Sequence, residues 1–396
     1  MKKLIYFLAV LGLWFGLLGC GGGGGGDTSI KSGSFDKSFG NKGVVTYKKE
    51  AVNNYIVALT IGANNKIYAI GYEDNYLTFY RFSDSGEFEK KFTTSNSVPQ
   101  CLAYNIIIDK QNKLIIYGLK FKIDDGTYRG FILRLNENLE FDTSFNTNGI
   151  KEVDIGEDSL VNSFAIDNDN NYYINLYGRV NHKSVIVKVK PNGDFDTDFA
   201  ASSLLILDNP IISNIIIDNR LNFLTAEVLS LYHNKYKLNG IYDDNFGVNG
   251  KKQIDAVGPV NYVKYKNNFY LMHKNLADDF NIFKYSLNAQ RDINFPSFIG
   301  LLKNMLNNEN FQIKDFKIDK EGKFLVLSKK DSKYYLLKLN NNATKVKEFA
   351  NNGIKEIEID FEDYNKPLYI DNNNKILYFK NYEDDTKYFK IFRLNP

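Results

Sequence analysis

Cysteine is nearly absent from this chain: two stand among 396 residues, Cys20 and Cys101. A disulfide framework is therefore excluded as the basis of the fold, and stability must come from packing. Cys101 lies in an apolar stretch and is expected to be a buried core thiol. Histidine is almost as scarce, with His182, His233 and His273 far apart in sequence, so no shared metal is expected from them. No zinc-protease helix motif, nucleophile elbow or phosphate loop occurs. The one tryptophan, Trp14, falls in an apolar N-terminal run. A net charge of +3 supplies no cationic face, which argues against nucleic acid as a partner.

The N-terminal run is Leu4 to Leu18, preceded by Lys2 and Lys3. It is short for a spanning helix and reads as an export signal over residues 1–19. Its end, Leu17-Leu18-Gly19-Cys20, resembles the lipobox of bacterial lipoproteins. That resemblance implies lipid, including palmitate, on Cys20 and a membrane partner through that anchor. A plain export signal with a chance cysteine is the alternative. Gly21 to Gly26 and the polar stretch after it, within residues 20–34, are expected to form a tether with a reach of about 20 Å. Removal of Lys2 and Lys3 would lower the net charge from +3 to +1.

What the chain has in abundance is repetition. Phe35-Asp36-Lys37-Ser38-Phe39-Gly40, ending at Gly43, returns as Phe141-Asp142-Thr143-Ser144-Phe145 ending at Gly149, and as Tyr242-Asp243-Asp244-Asn245-Phe246-Gly247 ending at Gly250. Weaker copies bring the closing Phe to positions 39, 92, 145, 199, 246, 295 and 349. Units that cannot bury a core singly must stack into one body. Within a unit, four β-rich runs are bounded by Gly, Asn, Asp or Ser, as in Val44 to Tyr47, Tyr55 to Ile61, Ile67 to Tyr72 and Leu77 to Phe82. The second run commonly ends in Ile-Asp before a polar hairpin, at Ile108-Asp109, Ile166-Asp167, Ile217-Asp218, Ile318-Asp319 and Ile370-Asp371.

Four antiparallel strands, seven times over, describe an all-β, seven-bladed β-propeller over residues 35–396. The chain's last strand, Tyr388 to Leu394, is expected to pair with Val44 to Lys48 and close the ring. The repeated phrase with its paired strands and Ile-Asp hairpins resembles the bacterial delta-60 repeat family over nearly all of residues 33 to 396. That likeness implies a β-propeller and no defined ligand. In the phrase, the aromatics are expected to pack between blades, Asp to hold the turn and the trailing Gly to permit a bend. Asp167-Asn168-Asp169-Asn170-Asn171 has the alternating oxygens of a calcium loop, but lacks its later Gly and distal Glu; turn chemistry suffices.

Residues three and four before each hairpin are expected to ring one mouth of the channel. They are Tyr104 and Asn105, Asn162 and Ser163, Ser213 and Asn214, Asn261 and Tyr262, Lys314 and Asp315, and Lys366. Such a rim is polar and poor in carboxylates; it would bind through neutral hydrogen bonds or simply hold water. Phe298, Leu301, Leu302, Met305 and Leu306 fall at helical spacing and suggest a short helix in the sixth unit, with a distorted strand as the alternative. Together these features point to a monomeric, lipid-anchored module of the cell envelope that presents a rigid body to a protein or glycan, with no metal or cofactor. Its membrane would be the outer one in a two-membrane cell, or else the outer face of the plasma membrane. A hydrolase or lyase of envelope polysaccharide is the alternative.

Overall fold

A computed structural model describes residues 31–49, 52–94, 101–211, 213–227, 230–254, 257–274, 280–307, 311–359, 368–383 and 387–396. Cys20 and Lys366 lie outside these residues, as do the expected export signal (1–19) and nearly all of the expected tether (20–34).

Seven antiparallel sheets form the seven-bladed propeller. Blade 1 runs Asn54–Ile61, Ile67–Glu73, Tyr76–Phe82 and Phe88–Thr93. The order of strands in the sheet is the order in the chain, and blades 2, 3, 4 and 6 repeat it. The first strands of neighbouring blades meet each other, which puts them at the axis and the fourth strands at the perimeter. Blade 5 has three described strands, Val257–Tyr265, Asn268–Lys274 and Phe280–Ser286. After it comes helix α1 (Ile299–Leu306), as the helical spacing suggests. Phe298, Leu302 and Leu306 bury their side chains among Ile282 of blade 5 and Phe316, Phe324 and Leu337 of blade 6. Lys330 Nζ donates to Leu306 O at 2.7 Å and so occupies one of the carbonyls left open at the helix end.

Blade 7 is assembled from both ends of the body. Val44–Tyr47 pairs antiparallel with Lys387–Leu394, in the register Val44 to Phe392 and Tyr47 to Phe389. The seam continues outward: Gly33 N donates to Asn395 O at 2.9 Å, and Asp36 N to Arg393 O at 2.9 Å. Ring closure at the expected strands is thus present, and the fourth strand of the last blade precedes the first blade in sequence.

In an antiparallel sheet of four strands, the turn between strands one and two and the turn between three and four lie at the same end. One face of the propeller therefore carries the Ile-Asp hairpins together with the Phe-Asp joints, and we refer to it as the joint face. The joints link the blades directly. Gly40 N donates to Ser85 O at 2.7 Å, Asn146 N to Asn192 O at 2.8 Å, Ala200 N to Asn239 O at 2.7 Å and Ala350 N to Ser32 O at 2.8 Å. The closing aromatics Phe39, Phe145, Phe199, Phe246 and Phe349 are buried, and each contributes about 2–3 kcal/mol by leaving water. The copy at Phe88 to Phe92 is different: it is itself the fourth strand of blade 1, because the turn before it is only residues 83–87. The trailing glycine is needed for its backbone. Gly43 has φ +97, and a Cβ there would stand 2.6 Å from Phe35 Cβ.

A second repeat runs through the third strands. Arg81, Arg134, Lys188, Lys235, Lys284, Lys338 and Arg393 stand near the end of that strand in blades 1 to 7 in turn. Most reach the acid of their own joint: Arg393 Nε to Asp36 Oδ2 at 2.8 Å, Arg81 Nε to Glu89 Oε2 at 2.7 Å, Arg134 Nε to Asp142 Oδ2 at 3.1 Å, Lys188 Nζ to Asp196 Oδ2 at 2.8 Å and Lys284 Nζ to Asp292 Oδ2 at 2.9 Å. The joint of blade 6 has no such acid, and Lys338 turns instead to Asp319 of the hairpin, at 3.5 Å. Arg393 also lies over the Phe39 ring at 4.5 Å, and Arg134 over Phe145 at 4.8 Å. The arginines then reach the next joint, with Arg81 Nη1 donating to Glu137 O at 2.7 Å and Arg393 Nη1 to Asp84 O at 2.6 Å. The Asp and Phe of the repeated phrase thus face one cation, which ties its blade to the following one.

Candidate functional site

The channel is walled by the first strands, and their geometry departs from a plain ladder. In blades 1, 2, 3 and 6 the pairing with the second strand carries a β-bulge, between Ile56 and Ala58, Ala103 and Asn105, Val161 and Ser163, and Ile313 and Asp315. A bulge rotates the side chains that follow it relative to those before. Tyr104, Asn105, Asn162, Ser163, Lys314 and Asp315, expected at the channel mouth, sit at or beside these bulges, part-way along strands that begin at Cys101, Ser159 and Phe311, whereas Ser213 and Asn214 precede the short strand Ile216–Ile217. Those on the bulged strands belong to the wall rather than to the rim. The count back from the hairpin misplaced them because these strands begin three residues before Tyr104, Asn162 and Lys314.

The bulge also sorts them. Ser163, Ser213, Tyr262 and Asp315 are buried, whereas Asn162 is exposed and Tyr104, Asn105, Asn214, Asn261 and Lys314 are half-buried. Ser163 Oγ accepts from Ile215 N at 2.6 Å and so bridges blades 3 and 4. Ser213 Oγ accepts from Leu224 N at 2.9 Å and donates to Asn214 O at 3.0 Å. Asn261 Nδ2 donates to Asp315 Oδ1 across blades 5 and 6, and to Phe316 O at 3.4 Å. The same carboxylate oxygen accepts from Phe316 N at 2.9 Å. Asp315 Oδ2 is buried without a hydrogen-bond donor; Lys317 Nζ lies 3.8 Å away.

Two tyrosines in the wall escaped the sequence reading. Tyr117, on the second strand of blade 2, stacks on Phe164 of blade 3 with centroids 4.7 Å apart. Its hydroxyl accepts from Asn105 Nδ2 at 3.5 Å. Tyr369, on the first strand of blade 7, accepts through its hydroxyl from Leu59 N of blade 1 at 3.2 Å. Both are surrounded by protein yet only half-buried, as side chains facing an internal channel are. Burial raises the pKa of each hydroxyl above the ordinary phenolic value, with Asn105 opposing this at Tyr117 and the Leu59 amide at Tyr369. The phenols stay neutral. The signal in the sequence was a Tyr replacing the usual aliphatic residue at a repeated register position, visible once units are aligned on their hairpins. The assembled wall offers amides, phenols and one engaged carboxylate, which suits recognition of hydroxyl or amide groups.

The histidines do not share this wall. His182 is exposed in a hairpin, with Nδ1 3.1 Å from the Tyr177 hydroxyl. His233 lies on strand Ser230–Tyr236 and is buried, with Nε2 3.3 Å from both Asn222 Oδ1 and the Tyr262 hydroxyl. Burial, helped by Lys235 and Lys252, pulls it down to about 3, so it is neutral. His273 is buried against the Phe283 ring, 4.1 Å between centroids. Among the described residues no three metal-ligating groups gather. The Asp167 loop works as a turn: Oδ1 accepts from Asp169 N and Asn171 N at 2.9 Å each, and Oδ2 from Tyr173 OH at 3.1 Å. Cys101 is buried as expected, and burial raises its thiol to about 12. Outside the channel, an open groove of about 490 Å³ lies at the perimeter beside Lys31, lined by Tyr335, Ile354 and Glu356.

No family model matches the chain, and no curated protein does. Solved structures resemble it. Virginiamycin B lyase from Staphylococcus aureus aligns at a TM-score of 0.50 with 11% identity, covering 88% of this chain and 98% of that one. A puromycin-hydrolyzing peptidase from Mycobacterium tuberculosis aligns at 0.52 with 10% identity, covering 83% and 49%. The β-propeller domain of the Trilobed protease from Pyrococcus furiosus aligns at 0.47 with 10% identity, covering 85% and 96%. At such identities the likeness speaks for the fold alone.

Proposed function

We propose that the protein is a lipid-anchored binding or scaffold module of the cell envelope, held through Cys20 and presenting its propeller to a protein or glycan. The observation that carries the binding half is the channel wall. Asn105, Asn261, Tyr117 and Tyr369 hold neutral donors and acceptors at fixed depth, a composition that recognises hydroxyl-rich or amide-bearing ligands without charge. The anchoring half rests on Leu17-Leu18-Gly19-Cys20 and the glycine run after it. Glycoside hydrolysis uses a pair of carboxyl groups; Asp315 is already engaged by Asn261 and the Phe316 amide, which favours recognition over turnover.

Two measurements test this reading. Radiolabelled palmitate should enter the wild-type chain and not the Cys20→Ala variant. Purified protein screened on envelope glycans and used to capture partners from native membranes should yield a ligand whose affinity falls when Asn105 and Asn261 are both replaced by Ala. Turnover of any glycan would replace this reading with the hydrolase or lyase.

A further inference from the structure

Charge is unevenly distributed around the joint face. In the joints of blades 1 to 3, the exposed charged residues are acidic, Asp84, Glu87, Glu89, Glu137, Glu140, Asp194 and Asp198, with the half-buried Lys190 opposing. In the joints of blades 6 and 7 they are Lys31, Lys37, Lys42 and Lys347, with Glu348 alone opposing. Between the two arcs, the joints of blades 4 and 5 put apolar side chains into solvent, Val248 at 77% exposure and Ile293 at 86%, beside one exposed acid, Asp244, paired with Lys237, and one exposed base, Arg291. At the positions corresponding to Ile293, blades 6 and 7 carry Lys347 and Lys37. Apolar tips next to lysines, on one side of a disk, form the pattern of an interfacial membrane contact.

The described body also begins on this arc. Lys31 lies in the blade 7 joint, where Ser32 O accepts from Ala350 N of the blade 6 joint at 2.8 Å. The residues between Cys20 and Lys31 span at most about 40 Å even when fully extended. Cys20 therefore lies within about 40 Å of Lys31. We propose that the arc from blade 4 to blade 7 rests on an anionic lipid surface, with Val248 and Ile293 entering the head-group layer, Lys37, Lys42 and Lys347 against lipid phosphates, and the acidic arc turned away. This inference rests on the reading of Cys20 as the lipidated residue.

The test uses the mature chain with Cys20→Ala, so that no acyl chain contributes, and flotation with vesicles of phosphatidylglycerol and phosphatidylethanolamine. Binding is expected to exceed that to pure phosphatidylcholine vesicles and to weaken with added salt. The Lys37→Glu/Lys42→Glu/Lys347→Glu variant should lose at least about tenfold in partitioning, and Val248→Asp/Ile293→Asp should lose several-fold. Reversing Glu137, Glu140 and Asp194 to Lys should not weaken it. Equal binding to neutral vesicles, or no loss in the lysine variant with an unchanged thermal midpoint, overturns the inference. Palmitate labelling of the wild-type chain is scored separately. Labelling with no lysine dependence removes the docking face and leaves the anchor, whereas lysine-dependent flotation without labelling removes the anchor.

Discussion

Arg393 Nε lies 2.8 Å from Asp36 Oδ2 across 357 residues of sequence, and both side chains are buried. This pair joins the last strand of the body to its first joint. Removing one partner from a buried pair leaves an uncompensated charge and costs about 3–5 kcal/mol. Asp36→Asn or Arg393→Met should each lower the thermal midpoint by several degrees, whereas the double variant should recover part of the loss. Differential scanning calorimetry of the three variants checks this; equal, additive losses would show that the pair is not coupled.

Acid should loosen the molecule in two stages. Burial opposes ionisation of Asp36 and Asp142, but Lys375 with Ser38, and Lys113 with Ser144, outweigh it and hold both carboxyls at about 2. Each contributes stability that is present above the ordinary carboxylate value near 4 and lost as pH falls through about 2. His233 acts earlier. Unfolded, it takes a proton below about 6.5, whereas the folded chain refuses it until about 3, so stability falls as pH drops across that interval. Urea midpoints measured from pH 7 to 3 should decline in the wild type and decline less in His233→Gln.

Asn175 is fully buried on the second strand of blade 3, and neither its amide oxygen nor its nitrogen has a hydrogen-bond partner. Leu224, Leu271 and Leu327 occupy the corresponding register in blades 4, 5 and 6. An orphaned buried amide costs about 1–3 kcal/mol. Asn175→Leu is therefore expected to stabilise the protein by about 1 kcal/mol or more, read as a higher urea midpoint. A loss of stability would mean that water or another group satisfies the amide.

Cys101 should be chemically silent in the native protein. Its thiol is buried and raised to about 12, and its carbonyl accepts from Tyr72 OH at 2.8 Å. Iodoacetamide labelling at pH 8 should follow global unfolding, with no fast phase.

The sequence made the ring legible because a blade is local: its strands, hairpins and joint are consecutive, and the closing Phe counts them. Ring closure followed from the same count, with Val44 opposite Phe392. The cation series was equally periodic, yet Arg81 through Arg393 read as ordinary polar positions of alternating strands until the joint acids were seen across from them. The channel wall was harder. A bulge such as that at Asn162 shifts the side-chain alternation without leaving a mark in composition, so counting back from Ile166 could not show that Asn162 is exposed and Ser163 buried. Tyr117 reaches the channel from a second strand, which no period within the first strand could reveal. The face polarity needed the topology first, because Lys37 and Lys347 are remote in sequence and near only around the ring.

Ser32 Oγ donates to Pro396 O, so the body begins and ends at one joint. A ring whose gap is bridged by contacts of the kind that link its other joints has no structural beginning. Joining the two ends and opening another joint would leave the same blades in the same order. What would change, on the anchoring proposed above, is the point of suspension: the disk would hang from a different edge, and a different arc would meet the proposed lipid surface.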